Sequence, residues 1–133
     1  MKSSSGKRVL VVEDETAALE VLEEWLMAQG WNVRTARTGR AALEASNFFQ
    51  PEVLITDYFL QDDVTGVELI AQLRARGPKM HYVLVTGILH TALLEGVHRL
   101  HRVPILTKPF DFDRLREVLS RMGLRARGVH VSA

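Results

Sequence analysis

Short apolar runs alternate with amphipathic segments five times along this chain of 133 residues. Runs of four or five β-branched and aliphatic residues are typical of strands that are buried on both faces. Strands joined by helices form a parallel sheet, because each crossover is right-handed and packs its helix back onto the sheet. The alternation therefore predicts an α/β fold, with five parallel strands covered by helices on both faces.

The element boundaries follow from apolar periodicity, capping residues and breaks at glycine or proline. The predicted strands are residues 9–13, 32–36, 53–57, 81–86 and 103–107. The predicted helices are residues 15–29, 38–46, 66–76, 89–101 and 112–122. Thr38 and Asp111 are the expected N-caps of the second and last helices, and Gly30 is expected to end the first. A flavodoxin-like, doubly wound strand order of 2-1-3-4-5 makes the first and third strands neighbours.

Composition indicates one globular domain in a reducing compartment. With 47% apolar and 25% charged residues, the chain is large enough to bury a continuous core. It has no cysteine, and no apolar stretch approaches the roughly 20 residues that cross a membrane. We expect a cytoplasmic domain over residues 7–122, with a disordered segment at 1–6, a flexible tail at 123–133 and no membrane partner.

The two halves of the sequence carry opposite charge. Residues 1–70 hold 6 basic and 12 acidic side chains, whereas residues 71–133 hold 11 basic and 4 acidic ones. A basic half can attract nucleic acid or an acidic protein surface. No aromatic-interleaved basic stretch or recognition motif accompanies it, so a solvated basic face is the favoured interpretation and direct nucleic-acid binding is not expected.

Charged side chains follow the apolar runs at the points where strands end. Glu13 and Asp14 follow the first run, Asp57 ends the third and Lys108 follows the fifth. Parallel sheets bind ligands at the carboxyl ends of their strands, so these side chains should meet in one crevice. Three close carboxylates repel each other and need a compensating cation, for which Mg²⁺ is the natural candidate. The pattern suggests a site for a divalent cation and a phosphoryl group.

Four motifs in order carry a resemblance to a known family. They read Val-Leu-Val-Val-Glu13-Asp14, Val-Leu-Ile-Thr-Asp57, Val-Leu-Val-Thr86-Gly87 and Thr-Lys108-Pro109-Phe110. Together they resemble the receiver domain of two-component response regulators, over about residues 7–122. The resemblance implies a signalling switch rather than an enzyme.

The resemblance implies a role for each acid. Asp57 matches the phosphoacceptor, which takes a phosphoryl group from a phosphohistidine of a histidine kinase or a histidine phosphotransfer protein. Asp14, Asp57 and the backbone carbonyl of Phe59 would hold Mg²⁺, and Glu13 would act on the metal directly or through water. The metal would offset the charge that develops during transfer.

Three further positions match the switch and phosphoryl-binding residues of the family. Lys108 would pair with Asp57 and then with the phosphoryl oxygens, and its bond to Pro109 would be cis. Thr86 would supply a hydroxyl to the phosphoryl group, and Gly87 would leave room beside it. The output surface would comprise the helix predicted at 89–101, the fifth strand and the last helix.

Several positions depart from the family pattern. Ile105 stands where receivers usually carry Tyr or Phe, so we expect the change to propagate through residues 87–90 and the helix that follows. Phe59 and Ile88 match variable positions that the family has beside the path of the hydrolytic water, and because both are bulky and apolar here we expect a long-lived aspartyl phosphate. The loop after Asp57 lacks the usual Met-Pro pair and has one extra residue; we interpret its acidic pair at 62–63 as turn residues rather than metal-site charge.

Two other functions stay open at this point. A haloacid-dehalogenase-like phosphatase also uses a strand-end aspartate with Mg²⁺, but Phe59 replaces the second acid of its Asp-x-Asp motif. A receiver-like binding module that is not phosphorylated is the other alternative. The cognate kinase, the output partner, a possible homodimer and membership of a longer regulator are not readable from the sequence.

Overall fold

The computed structural model describes residues 7–77, 80–87, 100 and 102–124 of the chain. Within them, five strands lie in the order 2-1-3-4-5, and each is parallel to its neighbours. The strands are β1 (Arg8–Val12), β2 (Asn32–Ala36), β3 (Val53–Asp57), β4 (His81–Thr86) and β5 (Ile105–Thr107). The predicted flavodoxin-like sheet is confirmed.

Four helices flank the sheet in the described part of the chain. They are α1 (Thr16–Ala28), α2 (Gly39–Phe49), α3 (Gly66–Arg76) and α4 (Phe112–Arg121). The helix predicted at 89–101 lies outside the described residues, apart from Leu100, which is buried. Among the described residues, no helix has the length and apolar character needed to span a membrane.

Most boundaries agree with the sequence prediction to within one residue, and two differ by more, for identifiable reasons. β5 begins at Ile105 rather than at residue 103, since Pro104 has no N–H to donate and Arg102 has a left-handed φ of 65°. α2 continues to Phe49, beyond the predicted end at residue 46, and stops where Gln50 turns left-handed. The predicted caps are confirmed: Thr38 and Asp111 each accept a backbone N–H of the following turn.

The sheet separates two halves of the core, because successive strand side chains point to opposite faces. Val9 and Val11 of β1 pack toward α1 and α4, whereas Leu10 and Val12 pack toward α2 and α3. All four are at most 1% exposed, and burying an aliphatic side chain contributes about 1.5–3 kcal/mol. Burial on both faces explains why the strands read as continuous apolar runs rather than as alternating ones.

Both ends of the described chain extend close to the predicted domain limits. Residues 1–6 and 125–133 lie outside the described residues. Leu124 is 8% exposed and belongs to the core on the α1 and α4 face, and its N–H donates to the carbonyl of Leu119 at 3.1 Å. The packed part of the chain therefore reaches two residues beyond position 122.

Candidate functional site

The parallel register brings the strand-end acids together. Val12 of β1 lies opposite Thr56 of β3, so the residues that follow these two positions are neighbours at the same edge of the sheet. Glu13, Asp14 and Asp57 each place one carboxylate oxygen within 4.8 Å of the others. The three acids that the sequence assigns to one crevice therefore meet there.

Lys108 links two of these acids. Its Nζ donates to Oε1 of Glu13 at 2.9 Å and to Oδ2 of Asp57 at 3.1 Å. The Lys108 side chain is 32% exposed, while those of Glu13 and Asp57 are 9% and 12% exposed. Partial exclusion of water strengthens ion pairs beyond the modest value typical of exposed ones, so one cation offsets two of the three acids.

Burial and ion pairing shift the pKa values of Glu13 and Lys108 in opposite directions. Burial raises the pKa of Glu13 above its ordinary value, and the hydrogen bonds from Lys108 and from the backbone of Glu15 only partly offset that effect. For Lys108, burial alone would lower the pKa, but its bonds to Glu13 and Asp57 raise it above the ordinary value. Lys108 therefore remains a cation at neutral pH, with two acids holding it in place.

The backbone around Asp57 is tightly packed. Oδ1 of Asp57 accepts the N–H of Tyr58 at 2.8 Å, and the carbonyl of Tyr58 accepts the N–H of Gly66 at 2.7 Å. A Cβ atom on Gly66 would lie 2.2 Å from the backbone oxygen of Asp57, a distance that no side chain can occupy. Gly66 thus allows α3 to begin directly against the phosphoacceptor candidate.

The remaining switch candidates lie at the ends of β4 and β5. Thr86 is fully buried, and its carbonyl accepts the N–H of Lys108 at 2.8 Å. The bond between Lys108 and Pro109 is cis, as the resemblance implies. A Cβ atom on Gly87 would lie 4.0 Å from Cβ of Lys108, an ordinary contact, so this structure does not itself require a glycine there.

The positions that depart from the family pattern have different environments. Phe59 is 52% exposed and packs edge-on against Tyr58, with ring centroids 4.7 Å apart. Ile105 is partly buried against the core on the α2 and α3 face. Ile88 lies outside the described residues.

Two residues, Arg37 and Asp62, support the site through contacts that the sequence did not predict. Arg37 donates to the backbone oxygen of Asp14 and to Oγ1 of Thr16, both at 2.7 Å. Asp62 accepts the backbone N–H groups of Gly39 and Arg40 at 3.0 and 3.1 Å. Asp62 therefore binds the start of α2 with its carboxylate. It remains a residue of the loop after Asp57, but its negative charge serves this helix end rather than the metal site. No short-range sequence signal connects residues so far apart along the chain.

A cleft opens beside the acids. It has a volume of about 620 Å³, and Glu13, Asp57 and Lys108 line one side of it. Apolar residues line the rest; they come from α1, from the strands, and from the segment that leads into α4, and they include Val21 and Phe112, the first residue of α4. The site is therefore reached from a pocket with apolar walls.

The donor set of this site suits a hard divalent cation. Three carboxylate oxygens converge, the chain has no cysteine, and oxygen ligands are those that Mg²⁺ and Ca²⁺ prefer. Excess negative charge remains after pairing with Lys108, since one cation faces three acids. The site can hold a metal ion.

Comparison with known proteins agrees with this geometry. The family described as response regulator receiver domain matches residues 9–120. The chain belongs to this family. This receiver domain has four described helices and the predicted sheet, with three acids and Lys108 together at one edge of it.

Individual relatives extend the comparison. The receiver domain is 32% identical over 132 residues to the probable transcriptional regulatory protein TcrX of Mycobacterium tuberculosis, covering 93% of this chain and 55% of TcrX. It is 30% identical over 115 residues to the Regulator of RpoS of Escherichia coli, covering 86% of this chain and 34% of that protein. The chain thus spans about half or less of the length of these relatives.

A solved structure confirms the fold. The CheY-like response regulator receiver domain from Methylobacillus flagellatus is 28% identical, with a TM-score of 0.74 over 87% of this chain and 98% of that one. The Asp57 carboxylate and its acidic neighbours fit the phosphorylation site of such a receiver. The chain is a signalling domain of the two-component type.

Proposed function

We propose that Asp57 accepts a phosphoryl group from a phosphohistidine and that this event switches the domain. One observation carries the proposal: the Lys108 ammonium joins Asp57 and Glu13 at 3.1 and 2.9 Å, with Asp14 beside them. A carboxylate held at a strand end, with a fixed cation on one oxygen, is arranged to act as a nucleophile on phosphorus. The tight packing at Gly66 supports the same role by fixing the backbone of Asp57.

The transfer step is a displacement at phosphorus. An oxygen of Asp57 forms a bond to the phosphorus, the bond from phosphorus to the donor imidazole nitrogen breaks, and the imidazole takes up a proton. Negative charge gathers on the phosphoryl oxygens in such reactions, so nearby cations accelerate them. In this proposal Lys108 would exchange its bond to Asp57 for a bond to a phosphoryl oxygen, and Thr86 would donate its hydroxyl to another.

Mg²⁺ is the proposed cofactor. Glu13, Asp14, Asp57 and the backbone carbonyl of Phe59 would hold it, and when bound it would neutralise charge on the phosphoryl oxygens. The convergence of three carboxylates on one point supports this choice. These acids repel one another without a cation.

The decisive experiment measures the intact mass of the protein after incubation with acetyl phosphate and Mg²⁺. Wild type should gain one phosphoryl group, Asp57→Asn should gain none, and chelation of the metal should suppress the gain. The lack of an adduct on wild type, or an equal adduct on Asp57→Asn, would contradict the proposal. Sustained release of inorganic phosphate from many donor molecules would instead favour the phosphatase alternative.

The wider role of the domain concerns its limits, its phosphoryl donor and its output partner. We propose residues 7–122 as the receiver unit, a histidine kinase or a histidine phosphotransfer protein as donor, and cytoplasmic action. The relatives are named as regulators and are longer than this chain, which supports an output domain or a separate output protein as the receiving partner. The proposed output surface comprises β5, α4 and the segment 89–101, most of which lies outside the described residues. A homodimer, if one forms, would use this surface.

A further inference from the structure

The turn between β2 and α2 contacts the loop that carries Asp14. Arg37 directly follows β2, and its guanidinium donates from Nη2 to the backbone oxygen of Asp14 and from Nη1 to Oγ1 of Thr16. Both distances are 2.7 Å. The planar guanidinium can serve two acceptors from one rigid group, so Arg37 fixes the backbone of Asp14 and the first residue of α1 together.

The same turn also contacts the loop that follows Asp57. The N–H groups of Gly39 and Arg40 donate to the two carboxylate oxygens of Asp62, at 3.0 and 3.1 Å. A Cβ atom on Gly39 would lie 2.6 Å from Cβ of Val64, so α2 begins in close contact with this loop. Residues 37–40, which we name the bridging turn, therefore connect the loop that carries Asp14 with the loop that follows Asp57.

The start of α1 lacks the usual stabilising contacts of a helix N-terminus. Its N-cap residue, Glu15, makes no side-chain capping bond, and no acidic residue occupies its first turn. The Glu15 N–H is instead bound by Oε2 of Glu13, at 3.1 Å, and Glu13 itself is a metal-site candidate. Outside Glu13, Asp14 and Asp57, the described structure shows this loop held by the carbonyl of Ala36, which accepts the Glu13 N–H at 3.0 Å, and by the side chain of Arg37.

We propose that Arg37 is a positioning residue of the metal site, which holds the backbone of Asp14 so that its carboxylate faces Asp57. The proposal rests on the proposed function, in which these acids bind Mg²⁺. Charge alone leads to the opposite expectation, because a guanidinium repels a nearby cation and its removal would tighten metal binding. The sign of the change in affinity therefore separates positioning from simple electrostatics.

The test is a calorimetric titration of the full chain with Mg²⁺, without phosphodonor, for wild type, Arg37→Ala, Arg37→Lys and Arg40→Ala. Arg40 is the matched control, since it lies in the same turn and its side chain has no hydrogen-bond partner among the described residues. Arg37→Ala should weaken Mg²⁺ binding by roughly three- to tenfold, the equivalent of one or two hydrogen bonds. Arg40→Ala should leave binding unchanged or slightly tighter, and Arg37→Lys should fall between the two.

A kinetic measurement adds a result that general damage to the fold would not produce. With acetyl phosphate, Arg37→Ala should need more Mg²⁺ for half-maximal phosphorylation but should reach the wild-type maximal rate, since Asp57 and Lys108 are unchanged. Binding by Arg37→Ala that equals or exceeds that of Arg40→Ala would overturn the proposal. If Arg37→Ala does not fold, Arg37→Met keeps the aliphatic stem but removes both donors, and Mg²⁺ binding by that variant as tight as that of Arg40→Ala would overturn the proposal equally.

Failure of the proposed function gives a different result. If wild type binds no Mg²⁺, or if Asp14→Asn binds it as well as wild type does, the metal site itself is wrongly assigned. If wild type binds Mg²⁺ and Asp14→Asn does not, the site stands and only the role of Arg37 is under test.

Discussion

At the scale of single residues, one ammonium group balances the acids. Lys108 contacts Glu13 and Asp57 through the same nitrogen, and the oxygens that it occupies belong to proposed metal ligands. A bound cation and Lys108 therefore both stabilise the acids and also repel each other. In the proposed function, the lysine would both aid phosphotransfer and limit the affinity of the site for the metal.

Replacing Lys108 should separate these two effects. Lys108→Met keeps much of the side-chain volume but removes the charge, so Mg²⁺ should bind more tightly, by roughly three- to tenfold. Phosphorylation by acetyl phosphate should nevertheless slow by about a hundredfold, because a fixed cation is lost from the developing charge. Calorimetry and intact-mass kinetics measure the two quantities, and a variant with wild-type phosphorylation kinetics would argue against the role of Lys108.

Phe59 offers a test of the lifetime of the phosphorylated state. Its ring is half exposed and packs on Tyr58, beside Asp57, and it has no polar group to orient an attacking water. Phe59→Asn should therefore shorten the lifetime of the aspartyl phosphate, by roughly tenfold if the amide acts as a water-orienting group. The lifetime is measured by following the loss of the phosphorylated mass after the donor is removed. A lifetime in Phe59→Asn as long as that of wild type would contradict the prediction.

At the scale of elements, helix ends and loops support one another. α3 begins with a capping box formed by Thr65 and Glu68, which is a local device, whereas the start of α2 is bound by Asp62 from another loop. Burial alone would raise the pKa of Asp62, but the N–H groups of Gly39 and Arg40 lower it below its ordinary value. Asp62 therefore stabilises the folded state in its charged form.

The stabilisation by Asp62 should depend on pH in a defined direction. Asp62→Asn should lower the free energy of unfolding at pH 7 by about 0.5–2 kcal/mol, the usual effect of losing a helix-capping side chain. Because the pKa of Asp62 is lower in the folded state, this contribution is fully present above the unfolded-state pKa of about 3.9. It is lost as pH falls from there through the lower folded-state pKa.

Urea unfolding of wild type and Asp62→Asn at pH 7 and at pH 3 measures the effect. The difference between the two proteins should shrink at the lower pH, and a difference that grew on acidification would contradict the assignment. Asp63→Asn is the matched control, because Asp63 is the adjacent acid and is exposed.

At the scale of the whole molecule, the reactive edge faces a cleft with apolar walls. Val21 on α1 is 53% exposed and lines this cleft together with Asp57 and Lys108. A donor protein must bring its histidine to Asp57, so it must cover part of this surface. A small phosphodonor has no such requirement.

Val21→Asp should therefore distinguish the two kinds of donor. Phosphotransfer from a histidine kinase that phosphorylates the wild-type chain should slow by roughly tenfold or more, as expected for a charge in an apolar contact. Phosphorylation by acetyl phosphate should stay within a factor of about two, since the acids are unchanged. Met27→Asp is the control, because Met27 is 58% exposed on the same helix but does not line the cleft; equal slowing in both variants would speak against docking at Val21.

The sequence by itself determined the sheet, the strand order and the acids of the site, because these depend on apolar runs and on residues at strand ends. Parallel pairing then places Glu13, Asp14 and Asp57 together without further information. The tertiary structure decided how those acids are held. Arg37 lies 23 residues from Asp14, and Asp62 lies 23 residues from Gly39, so their contacts depend on how three loops pack at one edge. The need for glycine at position 66 likewise appears only when α3 is packed against Asp57. Local patterns determine elements, whereas contacts between loops depend on the path of the whole chain.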